Sequence, residues 1–221
     1  MSKAVQILTL TTALTTAGGI ATLSLFSIPL LLSQPGARSL PQLRWLFSRG
    51  SHAAPSGILL SSGGFAYLSY ASLRGSAAAP APGSLLGAAL RSVGQGDKPG
   101  LFLLASVLAL SAAVFTRVML PTNFELIEMN ERLGGARSAR EAEFRERIGA
   151  APRAAWESVE GKEGVSQWTD LSGPQERTRR EAGPEEEERV RELLGRFKRL
   201  NYVRAGLIGV GGVVGLVAAL G

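Results

Sequence analysis

Four stretches of the chain are long and apolar enough to dominate its pattern. Residues 4–32 contain no charged side chain. This run exceeds the roughly 20 residues that cross a hydrocarbon core. It continues through Leu30, Leu31 and Leu32, past the ~7–15 residues of a signal-peptide core. A first spanning helix is therefore expected over about 5–32. Thr11, Thr15, Gly18 and Thr22 fall on one stripe of it, and small or hydroxylated stripes are expected to face other helices. A second span is expected over about 52–73, with Ser51 as its cap. Ser61-Ser62-Gly63-Gly64 at its middle would allow close helix approach and interhelical hydrogen bonds. A third span covers about 100–120, with Arg117 as its only charge, near enough to the end to snorkel. A fourth covers about 201–221, where Gly211, Gly215 and Ala219 make a small-xxx-small face.

The connections differ in kind. Residues 33–51 read as a short polar link holding Arg38, Arg44 and Arg49, with Trp45 and Phe47 where an interfacial aromatic belt would lie. Residues 74–99 read as a loose Ala/Pro/Gly-rich linker with one short helix near Leu85–Val93. Pro121 marks a break or kink, after which Thr122 and Glu125 have capping-box spacing for a new helix to Leu133. Gly134-Gly135 should end it. Ser138 and Glu141 repeat the signal for a helix to about Ile148. Residues 150–183 have no sustained period and read as a solvated, mobile excursion that is dispensable for chemistry. Pro184, followed by Glu185 to Glu188, starts a helix that continues into the fourth span.

Charge sharpens this division. Residues 121–200 hold 15 of the 24 Lys/Arg and 17 of the 18 Asp/Glu. A soluble domain would intersperse charge along every amphipathic element. The fold class expected is all-α: an antiparallel bundle of four transmembrane helices, one membrane domain, with a large hydrophilic insertion at about 134–190 between the third and fourth helices. The net charge of +6 sits in Arg near apolar ends and reads as membrane topology, so no nucleic-acid partner is expected. Arg38, Arg44, Arg49, Arg196, Lys198 and Arg199 outweigh Lys3, Arg74, Arg91 and Lys98, which places the insertion in the cytosol. The chain has no Cys and one His, which excludes thiolate and multi-His metal sites, so no metal is expected.

Three stretches carry a resemblance: Trp45-Leu-Phe-Ser-Arg-Gly-Ser-His52, Phe115-Thr-Arg-Val-Met-Leu-Pro-Thr-Asn123-Phe-Glu-Leu126, and Phe197-Lys-Arg-Leu-Asn-Tyr-Val-Arg204. In order, and with the four-span layout, they resemble the anthrone oxygenase-like family of small fungal and bacterial integral membrane proteins. The family has a Trp-containing link, a Pro-Thr-Asn turn after the third span and an Asn-x-x-Arg at the start of the fourth. The resemblance covers most of the chain except 135–190, which looks like a lineage-specific insertion. It implies oxidation of an anthrone, an apolar aromatic polyketide, to an anthraquinone, with molecular oxygen as co-substrate and no cofactor. Such chemistry needs a base, donors for a developing oxyanion and a dry slot for a planar ring system.

The candidate residues each admit a second reading. His52 is the only side chain that ordinarily titrates near neutrality, and a helix start would favour its neutral form as a base; it could also be an interfacial polar residue. Asn123 is a donor to an oxyanion or a cap of the turn after Pro121. Arg204 binds a phenolate or snorkels, and Asn201 shares its face. Trp45 stacks on substrate or anchors in the belt. Arg117 binds substrate or, more simply, snorkels. The resemblance makes His52, Asn123 and Arg204 the catalytic set, in a common cleft, with Trp45, Asn201 and Arg117 binding substrate. The alternative function is a non-catalytic four-span scaffold. The partners expected of the chain are the bilayer and, through the Gly211/Gly215 face, a second copy.

Overall fold

The computed structural model describes residues 2–75, 84–161 and 164–221. Their regular secondary structure is helical, with no strand among them. In order they form α1 (Lys3–Thr22), a π-helical turn (Leu23–Ser27), α2 (Ile28–Leu32), α3 (Gly36–Arg74), α4 (Leu85–Gln95), α5 (Lys98–Arg132), α6 (Ala139–Arg147), α7 (Ala155–Glu160) and α8 (Pro184–Leu220). Residues 76–83 of the expected linker lie outside the described residues; its short helix is α4. Among the described residues, three stretches are long and apolar enough to cross a membrane: Lys3–Leu32, Lys98–Arg132 and Pro184–Leu220. The expected second span falls in α3, which is not among the three. Its length suffices, but Ser56, Ser61, Ser62, Ser69 and Ser72 dilute its apolar character.

The chain divides into two compact units. One comprises Met1–Ala21, Ala54–Arg117 and Asn201–Gly221; the other comprises Thr22–Ala53 and Val118–Leu200.

The first unit is built on small residues. Its core takes Ala13, Ala17 and Ile20 from α1, Ile58, Phe65 and Leu68 from α3, Phe102, Ala105 and Ala112 from α5, and Ala205, Ile208 and Ala218 from α8. Alanine and glycine let helix backbones approach where a larger side chain would hold them apart. A Cβ on Gly57 would stand 2.2 Å from the Thr16 hydroxyl, and one on Gly64 would stand 2.3 Å from that of Thr9. Ser106 of α5 donates to the Ser62 carbonyl at 2.8 Å and Ser69 of α3 to that of Pro99 at 2.7 Å, whereas the Ser61 and Ser62 hydroxyls donate within α3, to the carbonyls of Gly57, Ile58 and Leu59. The outer surface is aliphatic, with Ile7, Leu8, Leu59, Leu60, Val107, Val114, Val210 and Val213 exposed. An apolar surface this extensive is what lipid covers.

Two expectations for this unit are corrected. Thr11, Thr15, Gly18 and Thr22 are exposed; the buried stripe of α1 is Thr9, Ala13, Ala17 and Ile20. Both stripes have helical spacing, and the glycines of α3 select the one whose threonines fit them. The Gly211/Gly215 face is occupied within the chain. A Cβ on Gly211 would lie 3.0 Å from the Ala105 carbonyl oxygen, and one on Gly215 would lie 2.3 Å from the Phe65 ring. That face is not open to a second copy.

The second unit corrects the sequence more deeply. The expected polar link at 33–51 is helical from Gly36 onward, because Ala37, Leu40, Leu43, Arg44 and Ser48 recur at three- and four-residue spacing and are buried. The helix therefore begins about four turns before His52. Ser51 is not a cap, and its hydroxyl donates to the Ser48 carbonyl at 2.9 Å. Likewise α5 runs unbroken through Pro121 to Arg132. A mid-helix proline costs on the order of 3 kcal/mol, and continuous burial of Met119, Thr122 and Leu126 across the site opposes the break. Other signals hold. Gly134 takes φ 76° just beyond α5. The Ser138 hydroxyl accepts from the Glu141 N–H to cap α6. Pro184 opens α8, where Glu186 accepts from the Gly183 N–H at 2.8 Å and Glu187 from that of Gly36 at 2.7 Å.

The largest correction concerns 150–183. Its described residues are mostly exposed but not without structure: they contain α7, and Ser158, Asp170 and Thr178 are buried. Glu131 of α5 accepts from Arg145 at 2.6 Å and Arg153 at 2.9 Å; Arg153 also reaches Glu141 at 3.2 Å. Arg137, itself buried, lies 3.5 Å from Glu141. Arg44 donates to the Ser158 carbonyl at 2.8 Å. Burial foremost draws its guanidinium down to about 10; the Arg137 and Arg153 charges add to this, and Glu141 and Glu131 oppose it. Backbone bonds from Thr178 to Ala37 and from Arg180 to Leu133 close the segment onto α3 and the end of α5.

Candidate functional site

Trp45, Arg49 and His52 stand at i, i+4 and i+7 on one face of α3. In the second unit this face receives the segment 164–172, which runs past it in the opposite direction. The Trp45 indole N–H donates to the Ser172 carbonyl at 3.0 Å. The Arg49 guanidinium donates to the carbonyl of Asp170 and, at 3.4 Å, to that of Ser172. The His52 imidazole lies against the Trp168 indole, with ring centroids 4.0 Å apart and planes inclined by 32°. Arg49 also sits over the Trp45 ring, 5.4 Å from its centroid.

Asp170 fixes the turn at the centre of this segment. Its carboxylate accepts from the Ser172 N–H at 3.0 Å, from the Ser172 hydroxyl at 2.7 Å and from the Ser138 hydroxyl. Burial alone would raise its pKa. The bonds from Ser138 and Ser172, with the Arg49 charge, outweigh burial and hold the carboxyl below its ordinary value. Ser138 thus joins two structures, since it also caps α6.

The other expected site residues divide between the units. In the second, Asn123 lies inside α5, so the turn cap is ruled out; its Oδ1 is buried without a hydrogen-bond partner. Asn130, two turns further along the same face of α5, is fully buried with both amide atoms unpartnered. Sequence reasoning missed it, although its seven-residue spacing from Asn123 was visible. In the first unit, Asn201 is 1% exposed, and its Nδ2 and the Nε of Arg204 are buried without partners. Asn201 and Arg204 lie three residues apart on α8, as the shared polar face requires. Arg117 is exposed on α5, which favours snorkelling over substrate binding. Trp45 has a use that neither of its readings anticipated, as an anchor for Ser172. The helix-start argument for His52 fails, because His52 is in the body of α3. Among the described residues, no group of three or more His, Asp or Glu gathers as a metal site would require.

The class is thus an all-helical membrane protein that keeps unpartnered amide and guanidinium groups within its helices. The family model for anthrone oxygenase matches residues 43–214, and the chain belongs to that family. The match spans all three motifs. Comparison with curated proteins and with solved structures gives no match.

Proposed function

We propose that the chain is a multi-pass membrane oxygenase that converts an anthrone-type aromatic polyketide to the anthraquinone, with dioxygen as co-substrate and no cofactor. The supporting observation is that Asn201 and Arg204, the polar residues of the Asn-x-x-Arg motif, each keep a buried N–H group without a partner. Such a group typically costs about 1–3 kcal/mol, so its persistence calls for a ligand or a water. An enolate or phenolate oxygen is a suitable acceptor for the Asn201 amide N–H and the Arg204 Nε–H.

The chemistry balances without a further reagent. His52 takes one proton from the methylene flanked by the two aryl rings. The resulting anthrolate is electron-rich and passes an electron to dioxygen. The radical pair recombines by forming a C–O bond, and protonation gives a hydroperoxide. Loss of the second hydrogen of that carbon, with cleavage of the O–O bond, releases water and leaves the quinone carbonyl. Asn123 and Arg204 stabilise the anion as it forms, which is where fixed donors act most strongly.

The bilayer is the partner that supplies so apolar a substrate. We further propose that α3 crosses it from Ala54 onward as a fourth span, because Ile58, Phe65 and Leu68 share one core with the spanning helices while Leu59 and Leu60 face outward. The basic residues around Arg38–Arg49 and Arg196–Arg199 support a cytosolic position for the insertion at about 134–190. The test is anaerobic addition of an anthrone to membranes carrying the chain, followed by oxygen. Quinone should appear faster than in membranes without it. Equal rates would reject the reading and leave the scaffold.

A further inference from the structure

The insertion was expected to have no part in chemistry, yet it brings an indole ring against the imidazole of His52. Three anchors define where that residue sits. Ser172 is held by Trp45, Asp170 by Arg49 and Ser138, and Trp168 then falls one helical step further along α3, on His52. The ring centroids, 4.0 Å apart, are closer than the ~4.5–7 Å usual for aromatic pairs, and the modest tilt makes this a face contact. Trp168 nevertheless remains 72% exposed. A tryptophan retained only for packing would be buried. This one has a partner for part of its surface and presents the rest to whatever approaches His52.

We infer that Trp168 belongs to the reaction site: it orients the His52 imidazole and offers the planar substrate an aromatic surface to stack on. A tricyclic phenol has no polar group at its reacting carbon, so hydrogen bonds cannot align that carbon with the base. Stacking can, because it fixes the plane of the rings while leaving slide along the plane to be set by the oxygens. The indole also covers part of the imidazole against water, which keeps a base effective towards a weak carbon acid. The substrate's identity here rests on the oxygenase reading; the His52–Trp168 contact does not.

The experiment uses the full chain in detergent or liposomes, with Trp168→Phe and Trp168→Leu variants whose helicity is first matched to the parent. Leucine keeps apolar bulk and removes the aromatic face. KM for an anthrone should rise about tenfold in Trp168→Leu and less than threefold in Trp168→Phe, and kcat should fall in Trp168→Leu and be largely kept in Trp168→Phe; aromatic stacking is worth roughly two- to tenfold in binding. The single histidine gives one set of imidazole proton resonances, and these should carry a ring-current shift that Trp168→Leu abolishes. An unchanged KM in the leucine variant, or unmoved imidazole resonances, would overturn the inference. If the parent chain oxidises no anthrone, the oxygenase reading fails separately. The resonances and the quenching of tryptophan emission by anthraquinone then decide: saturable quenching lost in Trp168→Leu supports the stacking surface, and quenching indifferent to the substitution rejects it.

Discussion

The first unit surrounds Ala13, Ala105, Ala112 and Ala218 with helices that touch through glycine, whereas the second surrounds Glu131 and Glu141 with Arg137, Arg145 and Arg153. The first turns aliphatic side chains outward and the second turns most of its charge either outward or onto a partner. Two solvents account for the contrast. Lipid provides no hydrophobic drive between helices, so close backbone packing must hold them. Water allows charge to be buried only in matched sets, and removing one member is far more damaging than the net worth of the pair. Of the motif residues, His52 and Asn123 belong to the second unit, Asn201 and Arg204 to the first.

The sharpest way to break the contrast is Glu131→Ala. Arg145 and Arg153 would lose their shared carboxylate, and loss of one buried partner typically costs 3–5 kcal/mol (roughly). All three tryptophans, Trp45, Trp156 and Trp168, lie in the second unit. The midpoint followed by tryptophan emission should therefore fall by many degrees, while the helical signal of the first unit persists. A single transition that moves as a whole would show the units to be one cooperative body.

The converse change is Gly64→Ala in the first unit. The new Cβ would stand 2.3 Å from the Thr9 hydroxyl and 2.8 Å from its methyl. Overpacking of this kind costs about 1–3 kcal/mol. Thermal melts followed by circular dichroism should shift, with tryptophan emission unaltered at ambient temperature. Pairing it with Thr9→Ser should recover part of the loss, because the clashing methyl is then absent.

Acid offers a milder probe. Asp170 has its carboxyl held below the ordinary value, so its contribution is fully present above the pKa of an unfolded aspartate and disappears as pH falls through the lower folded value. The 164–172 segment should stay docked from neutrality to about pH 4 and loosen below that. The His52 resonances report this docking directly. Asp170→Asn should weaken docking at neutral pH and flatten its acid dependence; an unaltered acid profile would assign the loosening to other carboxylates.

The smallest effect is expected of Arg117→Gln. The side chain is exposed, so stability should change by no more than about 0.5 kcal/mol and turnover should be unaffected. A large loss of turnover would restore Arg117 to substrate binding.

What could be read from the sequence follows the same division. Hydropathy located the apolar runs of α1, α5 and α8, and capping chemistry located Ser138 and Pro184, because these signals are local. The helix at 36–51 was hidden by its arginines. Arg44 reads as a polar loop residue until Ser158, 114 positions away, supplies its acceptors. Pro121 reads as a break because the burial that opposes the break is tertiary. In the insertion, buried charge and surface charge have the same letters, so the Glu131–Arg145–Arg153 set has no sequence signature. Motif order singles out His52, Asn123, Asn201 and Arg204 as candidates; it cannot single out Trp168, because only docking of the segment brings it to His52.

The most direct measurement of the central claim is oxygen uptake and quinone absorbance after an anthrone is mixed anaerobically with the parent chain and with His52→Ala, both in liposomes, and oxygen is then admitted. The account predicts one dioxygen consumed per quinone formed by the parent. It also predicts a rate about 10²–10⁴-fold lower in His52→Ala, with membrane insertion unchanged. Parent and variant rates that coincide with spontaneous oxidation in empty liposomes would contradict it.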